Sequence, residues 1–188
     1  GVVAALAAAR QGARTVLLEA KGYTGGVAVE GGTALHSFFN LWKAFPGVAK
    51  RQVVKGIPQD IIDRLMKVGG CTGHAEMLSF YDYDSVCTAI DTEMYKMVTM
   101  EMLQEAGVTV WVNTLMASAI RNGSRLTGVI AESRSGREAI YAKAFVDSTG
   151  YGDLAAHAGA KFTEPNDHPV ANRMANGTGN IEKIKTKD

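Results

Sequence analysis

Residues 1–19 of the chain have the sequence GVVAALAAARQGARTVLLE. The alanine-rich part, residues 2–11, has high helix propensity, and Gly12 follows it where a helix commonly ends. Thr15 to Leu18 form a short run typical of a buried parallel strand, and Glu19 follows that run directly. The stretch therefore predicts a helix, a short turn, a strand and an acidic residue at the end of the strand.

This order matches the second half of a dinucleotide-binding βαβ unit. In such a unit a glycine-rich turn brings pyrophosphate to a helix N-terminus, and an acid roughly 20 residues later binds the ribose. Gly1 and Glu19 have that spacing. The chain begins at Gly1 without methionine, so we expect the first strand and the first two glycines upstream. An ordinary helix before a strand is the alternative reading of this stretch alone.

The second half of the sequence predicts the remainder of an α/β fold. A helix is expected from Asp91 or Thr92 to Ala106, followed by Gly107 and a strand over 108–112. Three strands around Asn122-Gly123 and Ser135-Gly136 predict an antiparallel meander. A further strand, Ala144 to Val146, should lead into a glycine-rich turn and a short helix over 154–158. The predicted fold class is therefore α/β: a Rossmann-like parallel sheet with helices, in which the three-stranded antiparallel meander forms a crossover connection.

The region between these halves is expected to be an insert. Residues 21–45 carry five glycines and no clear period, which is typical of a ligand-contacting loop. Residues 57–68 show a helical apolar pattern. We predict a discontinuous cofactor domain over 1–40 and 91–160, a mainly helical insert over 41–90 as a substrate or cap region, and a linker or the start of a substrate domain over 161–188.

Composition restricts the functional classes. The chain has 188 residues, 46% of them hydrophobic and 21% charged, with a net charge of +1. That charge gives no field to attract nucleic acid or an anionic membrane, and no run of about 18 apolar residues is present to span one. Cys71, His74 and Cys87 are too few for a zinc site, so no metal is predicted. Two cysteines fit a reducing compartment such as the cytoplasm, and localisation stays open.

Four stretches together resemble a known family: GVVAALAAARQGARTVLLE at 1–19, TGG at 24–26, DTEMYKMVTMEMLQEAGV at 91–108 and DSTGYGDLAAHAGA at 147–160. Their order is similar to that of FAD-dependent oxidoreductases with the glutathione-reductase-like FAD-binding fold, over about residues 1–162. The resemblance implies FAD as the cofactor. It also implies cofactor-binding roles for the following residues: Gly1, Glu19, Ala20, Lys21, Gly25, Gly26, Met116, Thr149, Gly150 and Asp153.

Within that resemblance, Gly1 would lie by the pyrophosphate and Glu19 would bind the adenosine ribose. Gly25-Gly26 would pass the flavin, the backbone at Met116 would contact adenine, and Thr149-Gly150 would form a second nucleotide-contacting turn. The implied activity is hydride transfer between a small organic substrate and flavin. Because the family's enzymes are longer, this chain alone is expected to be inactive.

Two other functions remain open from the residues. The chain could be a non-catalytic nucleotide-binding module that needs a partner segment, or an oxidoreductase that binds NAD, because Glu19 suits either ribose. His36 could donate a proton or bind flavin covalently, although a surface histidine in a loop is the commoner case. No catalytic residue, substrate or oligomeric state can be assigned from the sequence.

Overall fold

A computed structural model describes residues 1–30, 35–36, 40–41, 51–76 and 86–161. The elements in chain order are α1 (Val2–Arg10), β1 (Val16–Leu18), the 3₁₀ turn η1 (Gly26–Ala28), β2 (Leu35–His36), β3 (Asn40–Leu41), β4 (Arg51–Gln52), α2 (Ile57–Lys67), β5 (Ala75–Glu76), β6 (Val86–Ala89), α3 (Thr92–Glu105), β7 (Thr109–Trp111), β8 (Leu115–Asn122), β9 (Arg125–Ser133), β10 (Gly136–Tyr141) and α4 (Asp153–His157).

Strands β1 and β7 form the parallel sheet predicted from the two helix-to-strand steps. Val16 is opposite Thr109 and Leu18 is opposite Trp111. The pairing continues past the strand end, where the Glu19 N–H donates to the Trp111 carbonyl at 2.9 Å. The two strands therefore end together, and Glu19 stands at their shared carboxyl edge.

The three helices α1, α2 and α3 pack into one apolar core. Leu6, Leu65 and Leu103, one from each helix, are fully buried, and further buried side chains of the same helices surround them. Helix α3 begins where the sequence predicts, because the Asp91 carboxylate accepts hydrogen bonds from the N–H groups of Glu93 and Met94. This core supports the sheet from one side.

The meander is confirmed. Strands β8, β9 and β10 form an antiparallel sheet in the order β10-β9-β8. The turns fall at residues 123–124 and 134–135, and Gly123 and Gly136 both have positive φ. A register shift between Met116 and Ser118 bends β8 near its start. The meander carries the chain from β7 to the turn before α4.

The described part of the insert, with the residues just before it, contains one helix and several very short strands. Helix α2 agrees with the predicted helical pattern over 57–68. Strand β6 pairs antiparallel with both β2 and β5, and β3 pairs with β4. These strands have two to four residues each, too few to produce a recognisable alternation of polar and apolar residues. The division into domains stays a prediction, and its 162–188 part lies outside the described residues.

The predicted strand over Ala144 to Val146 is wrong. This segment has no strand hydrogen bonds within the part of the chain that the structure describes. A strand forms only beside a neighbour that can pair with it, and the described parallel sheet consists of β1 and β7. The Val146 side chain is consequently 69% exposed. Among the described residues, no helix has the length and apolar character needed to cross a bilayer.

Candidate functional site

Glu19 is held at the carboxyl edge of β1 by the backbone around it. Its Oε1 atom accepts a hydrogen bond from the Lys21 N–H at 2.9 Å. Its carbonyl accepts from the Thr114 N–H at 2.9 Å, and the Lys21 carbonyl accepts from the Asn113 N–H at 2.8 Å. Glu19 as a whole is half-buried, and its carboxylate hydrogen bond with the Lys21 N–H is exposed. These bonds fix the conformation of an acid that has room for further hydrogen-bond donors, such as ribose hydroxyls.

Gly1 lies against β1 and against the turn that follows the meander. A Cβ atom at this position would be 3.2 Å from Leu17 Cδ1 and 3.9 Å from Ser148 Cβ. The start of α1, the end of β1 and Ser148 therefore come together at one edge.

The turn over residues 147–153, called here the Asp147 turn, is organised by a single carboxylate. Asp147 Oδ1 accepts from the Thr149 N–H at 3.1 Å and from the Thr149 hydroxyl at 2.8 Å. Asp147 Oδ2 accepts from the Ala155 N–H at 2.9 Å. The Thr149 hydroxyl in turn accepts from the Asp153 N–H at 2.9 Å. Both the N–H and the hydroxyl of Thr149 therefore serve the turn.

The same hydrogen bonds keep Asp147 ionised. Burial raises the pKa of its carboxyl, but the bonds from Ala155, from both groups of Thr149 and from the Leu154 N–H outweigh burial. The net pKa is therefore below the usual value. A stable negative charge at the start of α4 also suits the positive end of that helix.

The segment over residues 19–30, called here the glycine loop, leaves the same edge. Gly25 has φ +130°, and a Cβ atom there would be 2.8 Å from Val29 Cγ2. Thr24 is buried and its hydroxyl lies 2.9 Å from that of Thr99 on α3. The Tyr23 hydroxyl donates to Glu30 Oε1 at 3.0 Å. The loop is thus tied both to itself and to α3.

The structure brings some of the predicted site residues together. Gly1 is next to Ser148, which precedes Thr149-Gly150, and Ala20 and Lys21 follow Glu19 directly. Met116 is half-buried on β8, two residues beyond the Thr114 that bonds Glu19. Asp153 is exposed at the start of α4. No described contact joins Gly25-Gly26 to Gly1 or to the Asp147 turn. The side chain of His36, on β2, lies outside the described part.

Sequence reasoning missed three residues that shape this edge. A local pattern could have identified Asp147, because an Asp side chain commonly accepts a hydrogen bond from the backbone N–H two residues later. Asn113 adopts φ +51°, which asparagine tolerates better than most residues. No local sequence pattern marks Thr99, because its neighbours are those of an ordinary threonine within a helix.

The Cys71-x-x-His74 spacing has a structural explanation. The Cys71 thiol donates to the Ile62 carbonyl, with Sγ 3.6 Å from the oxygen. The His74 ring nitrogens lie 2.6 Å from the Thr88 hydroxyl and 2.9 Å from Gln59 Oε1. Within residues 1–30, 35–36, 40–41, 51–76 and 86–161, no group of three or more His, Cys, Asp or Glu side chains is arranged to hold a metal.

The fold and this edge define a nucleotide-binding α/β protein of the Rossmann type, with a helix N-terminus and an acid at the carboxyl end of parallel strands. Its sequence matches the model of the family described as FAD dependent oxidoreductase over residues 1–185. The chain therefore belongs to the FAD-dependent oxidoreductase family. No curated protein matches the sequence significantly.

Several solved structures share the fold. THI4 of Thermovibrio ammonificans is similar with a TM-score of 0.54 and 19% identity, covering 85% of this chain and 59% of its own. A geranylgeranyl bacteriochlorophyll reductase-like protein of Thermoplasma acidophilum has a TM-score of 0.55 and 15% identity, and the match covers 89% of this chain and 41% of that protein. The p-nitrophenol 4-monooxygenase of Pseudomonas putida has a TM-score of 0.50 and 15% identity, and the match covers 86% of this chain and 40% of that protein. The chain thus spans about two fifths to three fifths of the length of these proteins.

Proposed function

We propose that the protein binds FAD and belongs to an oxidoreductase that passes a hydride between a small organic substrate and the flavin. The observation that carries this proposal is the packing of Gly1 against Leu17 of β1 and against Ser148, with Glu19 following β1 at the edge where β1 and β7 end. Family membership over residues 1–185 supports it. Ligands of open α/β sheets bind at such carboxyl edges.

Three features of the edge fit a dinucleotide. A Cβ atom at Gly1 would be 3.2 Å from Leu17 Cδ1, so a larger residue would require Leu17 to shift, as expected where a helix must pack tightly on its strand beside a pyrophosphate. Helix α1 has nine residues and no side-chain cap among the described residues, so its first N–H groups are suited to phosphate oxygens. Glu19 is suited to accept hydrogen bonds from ribose hydroxyls.

The remaining cofactor contacts are proposed from the family pattern. Ala20 and Lys21 would flank the adenosine ribose, and the backbone at Met116 would contact adenine. Gly25-Gly26 would lie along the flavin, and Thr149-Gly150 with Asp153 would form the second nucleotide-contacting turn. FAD, when bound, supplies the capacity to accept or donate a hydride, whereas the protein positions it and excludes water. Residues 1–40 and 91–160 would form this cofactor domain.

The substrate side is proposed only in outline. We assign substrate selection to the insert over residues 41–90, with residues 161–188 leading away from the cofactor domain. The near-zero net charge favours a small organic molecule over nucleic acid. Glu19 would also suit the ribose of NAD, but the Thr24-Gly25-Gly26 segment, which follows the acid closely, favours FAD, as in the resembling family.

A titration of the purified protein tests the proposal. FAD and NAD are added separately, and binding is followed by flavin fluorescence and by calorimetry. Glu19→Gln should raise the Kd for FAD about tenfold or more, because hydrogen bonds to a charged acceptor are lost. Glu138→Gln, at an exposed position on β10, is the matched control and should change the Kd less than twofold. A protein that takes up no FAD, or equal affinities for wild type and Glu19→Gln, would contradict the assignment.

A further inference from the structure

A pair of buried hydroxyl groups joins the glycine loop to helix α3. The Thr24 and Thr99 Oγ1 atoms are 2.9 Å apart, although the residues are 75 positions apart in sequence. Thr24 is 1% exposed and Thr99 is 0% exposed. Buried hydroxyls that lose their partners are costly, so the position of each side chain is tightly defined by the other.

The direction of this hydrogen bond follows from the bonds that Thr99 makes. The Thr99 hydroxyl donates to the Tyr95 carbonyl at 2.8 Å, with the Lys96 carbonyl further away at 3.2 Å. A hydroxyl has one hydrogen to donate, and Thr99 directs it back into its own helix. Thr24 must therefore be the donor to Thr99. Without Thr99, the Thr24 hydroxyl would be left buried with an unused hydrogen.

The same face of α3 makes a second contact with the loop. The Lys96 ammonium lies 4.0 Å from the centre of the Tyr23 ring. Lys96 and Thr99 are three residues apart, so they lie on one side of the helix and hold two successive loop residues, Tyr23 and Thr24. Gly25 follows immediately in a conformation that a Cβ atom would not fit, because of Val29. The anchor thus stands directly before the most constrained position of the loop.

We propose that Thr99 is a positioning residue for the cofactor site. Through Thr24, it holds Gly25-Gly26 in the shape that the loop offers to the flavin. Apolar packing alone would attach the loop to α3 without defining its position along the helix, whereas a hydroxyl pair at 2.9 Å does define it. This proposal rests on the proposed function for the identity of the ligand, but the attachment of the loop can be measured without any cofactor.

The experiment compares Thr99→Val, Thr24→Val and Thr99→Ser with wild type in the full chain. Thr88→Val is the matched control, because Thr88 is equally buried but bonds His74 in the insert. Amide hydrogen exchange is measured without FAD for peptides covering residues 22–30 and, as a reference, 147–153. The Kd for FAD is measured for each variant by flavin fluorescence.

Thr99→Val should speed exchange in residues 22–30 at least fivefold and weaken FAD binding by a similar factor, with residues 147–153 unchanged. Thr24→Val should have a smaller effect, because Thr99 keeps its bond to the Tyr95 carbonyl. Thr99→Ser should behave as wild type, and Thr88→Val should alter neither readout. If Thr99→Val does not fold, the comparison of Thr24→Val with wild type tests the same hydrogen bond.

Wild-type exchange in residues 22–30 of the folded variants would overturn the proposal. So would a loosened loop with unchanged affinity for FAD. If the wild-type protein binds no FAD, the proposed function fails, and the exchange rates alone still decide whether Thr99 holds the loop.

Discussion

The glycine loop and the Asp147 turn flank the same edge of the sheet, but they are held in shape in different ways. The Asp147 turn is local: its bonds join residues two to eight positions apart. The glycine loop depends on α3, through a hydroxyl pair that spans 75 positions. A local turn can form wherever its sequence is present, whereas the loop takes its shape only after α3 has packed.

This difference implies that the two regions can be perturbed separately. The Asp147 turn should keep its shape when distant parts of the protein are perturbed. The glycine loop should respond to any change in α3, because its anchors Thr99 and Lys96 belong to that helix. Substitutions in one region should therefore leave the other unaffected.

The largest effect is expected from Gly25→Ala. The substitution adds a Cβ atom 2.8 Å from Val29 at φ +130°, so strain and overlap together should lower the free energy of unfolding by about 3 kcal/mol. Urea denaturation measures the loss. Gly26→Ala is the control, since its Cβ would meet open space at φ +54°, and should cost about 1 kcal/mol. Equal losses would show that Val29 does not constrain the loop.

Asp147→Ala should have the next largest effect, confined to the other region. It removes the acceptor for Thr149 and Ala155, and we expect a loss of about 2 kcal/mol in the free energy of unfolding. Hydrogen exchange should rise in residues 147–155 and stay unchanged in residues 22–30. Faster exchange in both regions would mean that the two are coupled.

The pH dependence of stability tests the contribution of the Asp147 carboxylate to the Asp147 turn. The native pKa of Asp147 is below its usual value, so its contribution is complete above about pH 4, the unfolded value. It is lost as pH falls through the lower native pKa. Denaturation midpoints of wild type and Asp147→Ala should therefore converge at acidic pH. A constant difference between them down to acidic pH would contradict this role of the carboxylate.

Tyr23→Phe should have the smallest effect. It removes the 3.0 Å hydrogen bond to Glu30 and keeps the ring beneath the Lys96 ammonium, so we expect a loss below about 1 kcal/mol. The measurement is again urea denaturation. A larger loss would indicate that the loop is held mainly by its internal bond to Glu30, rather than by α3.

The sequence predicts the elements well where a signal is local. The ranges of α1, α2, α3 and the three-stranded meander agree with their apolar patterns and turn residues, and the pairing of β1 with β7 follows from two similar helix-to-strand steps. The prediction failed at Ala144 to Val146, because whether an apolar run becomes a strand depends on a pairing partner that its own residues cannot reveal. The two-residue strands in and beside the insert were missed because they are too short to show an alternation of polar and apolar residues.

The amino-acid sequence by itself determined the order of helices and strands, the acid at the end of β1 and the local bonding potential of Asp147. Each of these depends on propensity, periodicity or contacts within a few residues. Tertiary structure alone decided that Gly1 meets Ser148 and that Thr24 meets Thr99. Those contacts join distant segments, and they arise only when packing of the apolar core has brought the helices and the sheet together.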